Sequence, residues 1–120
     1  MFPTIVNDPM LISAMQNDDE IKILRKKLLQ AIVKYKYTYN FTWFGRPIIQ
    51  LPEDIMAIQE IILNTKPDVV IETGIAHGGG LVLYASLLEL LGKGTVIGID
   101  IEIREQNRKA LEKHPLFKRI

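Results

Sequence analysis

The sequence predicts an α/β fold: a helical lead-in followed by a β-α-β-α series with parallel strands. Three observations carry this reading. Two short apolar runs rich in β-branched residues, Val69-Val70-Ile71 and Thr95-Val96-Ile97-Gly98-Ile99, read as strands buried on both faces. Between them lie a glycine-rich turn, from Gly74 to Gly80, and a helical pattern in which Leu81, Tyr84, Ala85, Leu88 and Leu91 share one face. Each run leads into an acid, Glu72 and Asp100, about one β-α-β repeat apart.

A chain of 120 residues has room for one domain at most. Its 15 basic and 14 acidic residues nearly cancel, so bulk charge points to neither nucleic acid nor an anionic membrane. Cysteine is absent, which removes disulfides and thiolate metal sites and fits a reducing compartment. No basic-then-apolar secretion signal opens the chain. The tract from Leu81 to Leu91 carries Glu89 and falls short of the roughly 20 residues that span a bilayer. The expectation is a cytoplasmic protein with no membrane and no nucleic-acid partner.

The lead-in is assigned to residues 1–50. Pro3 and Asn7-Asp8-Pro9 argue for an irregular start, and Met10 to Met15 read as a short helix or a docking strap. From Asp18 the pattern is helical: Ile21, Leu24, Leu28, Ile32 and Tyr35 form one stripe. Acids at its start and lysines near its end suit the helix dipole. The bases Lys22, Arg25, Lys26 and Lys27 are read as a solvated face. An aromatic cluster, Tyr35 to Phe44, is read as core packing ahead of Gly45-Arg46-Pro47.

Residues 51–120 are assigned to the α/β part. Leu51-Pro52-Glu53-Asp54 starts a helix, with proline in its first turn and acids on its dipole. Ile55, Ile58 and Ile62 make its buried face, and Thr65-Lys66-Pro67 ends it. The first strand, the glycine turn and the helix from Leu81 follow. Gly92-Lys93-Gly94 turns the chain into the second strand. Arg104 to Lys113 reads as a polar helix stopped at His114-Pro115, and Leu116 to Ile120 as the approach to a third strand.

Strand, glycine turn, helix is the first half of a nucleotide-binding unit. Glycines let the backbone bend and a ligand approach it. The helix N-terminus leaves N–H groups free and carries partial positive charge. Asp100, closing the second strand, is placed to accept hydrogen bonds from both ribose hydroxyls of a nucleoside. The turn is not a dinucleotide fingerprint, because Ala76 stands where Gly-x-Gly-x-x-Gly needs glycine. No Gly-Lys-Ser/Thr follows Gly79, so it is not a phosphate loop either.

Glu72-x-Gly74-x-x-x-Gly78 resembles the first motif of S-adenosylmethionine-dependent methyltransferases, and Asp100 matches their ribose-binding acid. Four stretches narrow the likeness. They are Phe41-Thr42-Trp43-Phe44-Gly45-Arg46-Pro47, Leu51-Pro52-Glu53-Asp54, Glu72-Thr73-Gly74-Ile75-Ala76-His77-Gly78-Gly79 and Ile97-Gly98-Ile99-Asp100-Ile101. In that order they resemble the cephalosporin hydroxylase / rhamnosyl O-methyltransferase family, from about Tyr39 onward.

The resemblance implies an incomplete Rossmann-like methyltransferase fold, S-adenosylmethionine as cofactor, and a sugar or antibiotic-like hydroxyl as acceptor. It implies cofactor contacts at Glu72, Gly74, Ala76, His77, Gly78, Gly79 and Asp100. It also implies that the aromatic cluster helps cover the cofactor or substrate pocket. Magnesium or another divalent metal is used in the family, but its ligands and the catalytic groups are expected outside this stretch. The residues themselves cluster no metal ligands. The open strand edges predict a homo-oligomer or self-association. The alternatives are a non-catalytic or partner-dependent fragment and a Rossmann-like binder of NAD or a nucleotide.

Overall fold

The computed structural model describes residues 8–120, so Pro3 and the first residues of the irregular start lie outside it. Two compact units divide the chain between Tyr37 and Thr38.

The first unit holds two helices, α1 (Pro9–Asn17) and α2 (Asp19–Val33). Between the two readings of Met10 to Met15, the structure takes the helix. Asp8 caps α1 by accepting from Met10 N at 2.9 Å, and Pro9 stands in the first turn, where its missing N–H costs nothing. Asp18 caps α2 in the same way, accepting from Glu20 N at 2.9 Å. The α2 stripe forms, but neither helix buries a residue, and Ile21, Leu24 and Leu28 stay exposed.

The second unit starts with a hairpin that the sequence reading had not assigned. Strands β1 (Phe41–Trp43) and β2 (Arg46–Ile48) pair antiparallel through a two-residue loop, Phe44-Gly45. Both loop residues have positive φ, 43° and 81°, as right-twisted hairpins require. Trp43 stacks edge-on against Phe44, and its indole N–H donates to Ser86 Oγ at 3.0 Å. The sequence boundary at residue 50 and the structural division therefore differ: the hairpin packs on the helix that carries Ser86.

That helix is α4 (Gly79–Leu91). It stands between β3 (Val69–Thr73) and β4 (Thr95–Ile99), which run parallel in register from Val69 opposite Thr95 to Thr73 opposite Ile99. Helix α3 (Pro52–Thr65) precedes β3 and buries Ile62, with Ile55 and Ile58 partly covered. Helix α5 (Glu105–Glu112) follows β4 and buries Asn107 and Leu111. The core gathers on α4: Leu81, Val82, Ala85 and Leu88 join Ile62, Ile75, Val96 and Leu111. Each large apolar side chain so buried contributes about 1.5–3 kcal/mol.

Two expectations are corrected. The strands are not covered on both faces: Val69, Ile71, Ile97 and Ile99 are 45–61% exposed, while Val96 on the α4 side is 1% exposed. Among the described residues α4 covers one face of the sheet, and the other face is largely exposed. Leu116 to Ile120 do not start a strand. Phe117–Arg119 form a 3₁₀ turn whose Leu116 and Ile120 pack on the core. Arg119 and Lys118 pair with Glu89 of α4 and hold the turn there.

The start of α4 is where the packing is tightest. A Cβ on Gly79 would overlap the Pro47 carbonyl, a backbone group that cannot swing aside. Gly79→Ala should therefore lower stability by about 1–3 kcal/mol. Urea unfolding followed by circular dichroism checks this, and an unchanged midpoint would contradict the packing.

Candidate functional site

The turn between β3 and α4 separates two clefts. One, of about 370 Å³, is lined by Glu72, Gly74, Gly79, Gly80, Tyr84 and Pro47, among others. The second, of about 310 Å³, is lined by His77, Asp100, Ile101, Glu102 and Arg104. Ala76 lines both. The structure thus places Glu72, Gly74, Ala76 and Gly79 together, and Ala76, His77 and Asp100 together. Gly78 lines neither cleft: it is buried, and a Cβ there would come within 2.8 Å of the Leu111 side chain.

Glu72 closes β3 on the α4 side. Among the described residues its Oε2 is buried with no hydrogen-bond partner. Burial pushes its carboxyl up from the ordinary 4.5 to about 7. Tyr84, one helical turn beyond Gly80, has its phenol raised by burial and then by the Glu72 carboxylate. A buried acceptor without a partner is costly to leave so.

Asp100 closes β4, and its surroundings are the opposite. Oδ1 accepts from Glu102 N at 3.3 Å and Oδ2 from Ile75 N at 2.9 Å. These backbone N–H groups, Glu102 first and Ile75 next, hold its carboxyl below the usual range. The backbone N–H groups of Ile101 and Ala76 act on it in the same direction, so four backbone donors favour its ionised form. Gly74 N donates to Ile99 O at 2.7 Å, which ties the turn to the same strand end.

The glycines divide by cause. Gly74, at φ 79°, has nothing within 4 Å of an added Cβ and stays open for close approach from the cleft. Gly78 and Gly79 are crowded by this chain's own Leu111 and Pro47, and internal packing already requires both.

Two side chains that the sequence reading assigned no role hold the turn from outside. Arg46 donates to the His77 carbonyl from Nε at 3.1 Å and from Nη2 at 2.5 Å. Asn107 donates from Nδ2 to the Ala76 carbonyl at 3.0 Å and accepts from Arg46 Nη2 at 3.1 Å. Arg46 lay inside a motif of the resemblance, but nothing in the sequence marked Asn107. His114 is a helix-end residue as read. It also accepts from Leu116 N at Nδ1 (3.2 Å), which leaves Nε2–H to donate to Phe44 O at 3.1 Å.

Among the described residues no three His, Asp or Glu side chains gather as metal ligands. No helix among them is long and apolar enough to cross a membrane.

Parallel strands, each with an acid at its C-terminal end, a glycine turn and two clefts beside it make an α/β unit. The family model described as Rhamnosyl O-methyltransferase/CmcI matches residues 35–120, and the chain belongs to that family. It is similar to the Rhamnosyl O-methyltransferase of Mycobacterium leprae (strain TN), with 29% identity over 77 residues. That match covers 63% of this chain and 34% of the relative, so the chain spans about a third of that protein's length. No solved structure matches the chain.

The raised Glu72 carboxyl makes a prediction about stability. Its folded value lies above its unfolded one, so the folded state holds the proton more tightly. Stability is then greatest below about pH 4.5 as far as this group is concerned. It falls as pH rises toward about 7, where Glu72 must ionise while buried. Glu72→Gln should match the parent at pH 4.5 and exceed it at pH 8 in urea midpoint. Equal midpoints at pH 8 would contradict the burial of this group.

Proposed function

We propose that this chain carries the S-adenosylmethionine-binding part of a Rossmann-like O-methyltransferase, a cytoplasmic enzyme acting on a sugar or antibiotic-like hydroxyl. Family membership supports the reaction class. The observation that carries the cofactor reading is the buried, unpartnered Glu72 Oε2 beside an open Gly74. An α-ammonium group is the donor that fits there. Asp100, across the turn, lines the second cleft as an ionised carboxylate, the kind of acceptor a ribose diol uses.

When bound, the cofactor supplies a methyl group on a sulfonium. The chain's own residues bind and orient it. Glu72 holds the cationic end, Asp100 the ribose, and the turn's backbone sets the distance between the two clefts. Positioning of this kind can account for most of a transfer's acceleration when the acceptor oxygen is held in line.

Calorimetry on the full chain checks the cofactor. S-adenosylmethionine or its demethylated product should bind more tightly than NAD or ATP, and tighter NAD binding would overturn the reading. A cation beside Glu72 favours the ionised acid, so binding near pH 6.5 should release a proton. Titrations in two buffers of different ionisation enthalpy read that proton, and Glu72→Gln should abolish it. Asp100→Asn should weaken binding by about tenfold to a hundredfold, the scale for losing hydrogen bonds to a charged group. Unchanged affinity in a folded variant would remove Asp100 from the site.

A further inference from the structure

We propose that Arg46 and Asn107 are positioning residues: together they clamp the turn between β3 and α4 in its ligand-ready shape. The inference rests on the S-adenosylmethionine reading above and adds to it the part of the chain that sets the site's geometry.

The turn has one bond of its own, Gly78 N donating to Ile75 O at 2.7 Å, and the carbonyls between them are held from outside. Ala76 sits at φ 45°, a conformation that costs a residue with a Cβ about 1 kcal/mol or more. Its carbonyl is taken by Asn107 from α5, and the next carbonyl, of His77, is taken twice by Arg46 from β2. Arg46 and Asn107 are themselves bonded, so the two carbonyls are gripped by one connected group. Asn107 is 6% exposed, and both ends of its amide are satisfied only in this arrangement. A buried network of this kind specifies one geometry, because any other leaves a polar group unpaired.

The consequence for the site follows from peptide planarity. The C=O and N–H of one peptide point in opposite directions. Fixing the Ala76 carbonyl on Asn107 fixes the His77 N–H away from α5. His77 itself lines the cleft that holds Asp100. Ala76, the residue the clamp strains, is the wall shared by both clefts. Moving it changes both at once.

The test uses the full chain and three variants, Asn107→Ala, Arg46→Met and the double. Amide exchange is followed by NMR without ligand, and S-adenosylhomocysteine binding by calorimetry. The expected result is exchange at Gly78 and Ile75 faster by about tenfold, with Val96 and Leu88 unchanged. Affinity should fall by about tenfold in each single variant and no further in the double, because the pair acts as one unit. Arg46→Lys, which keeps one donor for the His77 carbonyl, should recover part of the loss.

Turn and core amides accelerating together, with a lower melting temperature, would make the pair a general stabiliser and overturn the proposal. So would unchanged exchange, or unchanged affinity in the variants. Failure of the parent chain itself to bind S-adenosylhomocysteine would instead overturn the cofactor reading, while the exchange data still decide the clamp.

Discussion

The α/β unit depends on the absence of side chains at the start of α4. Gly78, Gly79 and Gly80 let three other parts of the chain reach the helix end: Leu111 of α5, the Pro47 carbonyl of β2, and the Glu72 carboxylate of β3. Were a Cβ present, each of these would have to retreat. Hairpin, strand and α5 converge here because backbone, rather than side chain, forms the contact surface. The remainder of α4 then buries Leu81, Val82, Ala85 and Leu88, and that apolar surface stabilises the arrangement the glycines permit.

This crowding also sets the chemistry. Glu72 is pressed against Gly80 and loses water on one oxygen, which raises its carboxyl to about 7. Asp100, one strand away, is met by backbone N–H groups and stays readily ionised. Glu72, opposite Gly98, and Asp100, two residues beyond Gly98, thus differ in character because one faces the helix start and the other the loop after β4. The stability lost at Glu72 is small beside what the α4 core contributes, so the fold tolerates an acid that lacks a partner.

Much of this was legible in the sequence because it depends on periodicity. The helical stripes of α2, α3 and α4 and the apolar runs of β3 and β4 fall where the pattern puts them. The acids at the strand ends were legible for the same reason. The hairpin was not, because strands of three residues carry too little alternation, and Phe44 at positive φ is not a residue that announces such a turn. The last five residues misled because Leu116, Phe117 and Ile120 are as apolar as a strand but follow Pro115. Their backbone curls to pack on α4 instead. Cover on both strand faces was inferred from β-branched composition, and composition does not say which neighbours are within the chain.

The grip on the turn was illegible for a different reason. Arg46 and His77 are 31 residues apart, and Arg46 and Asn107 are 61 apart. No local pattern couples such positions; only the fold brings β2 and α5 to the two sides of one turn. Local preference at Ala76 opposes its conformation, and a glycine there would have removed the strain. It would also have widened the unfolded ensemble and let the folded turn sample other shapes. With alanine, the turn's conformational range is narrow to begin with, and the bonds from Arg46 and Asn107 select one point within it. The shape of the site is therefore a tertiary property, imposed on the glycine turn by a hairpin that also gives Pro47 and Ile48 to the first cleft and by a helix, α5, that lines neither.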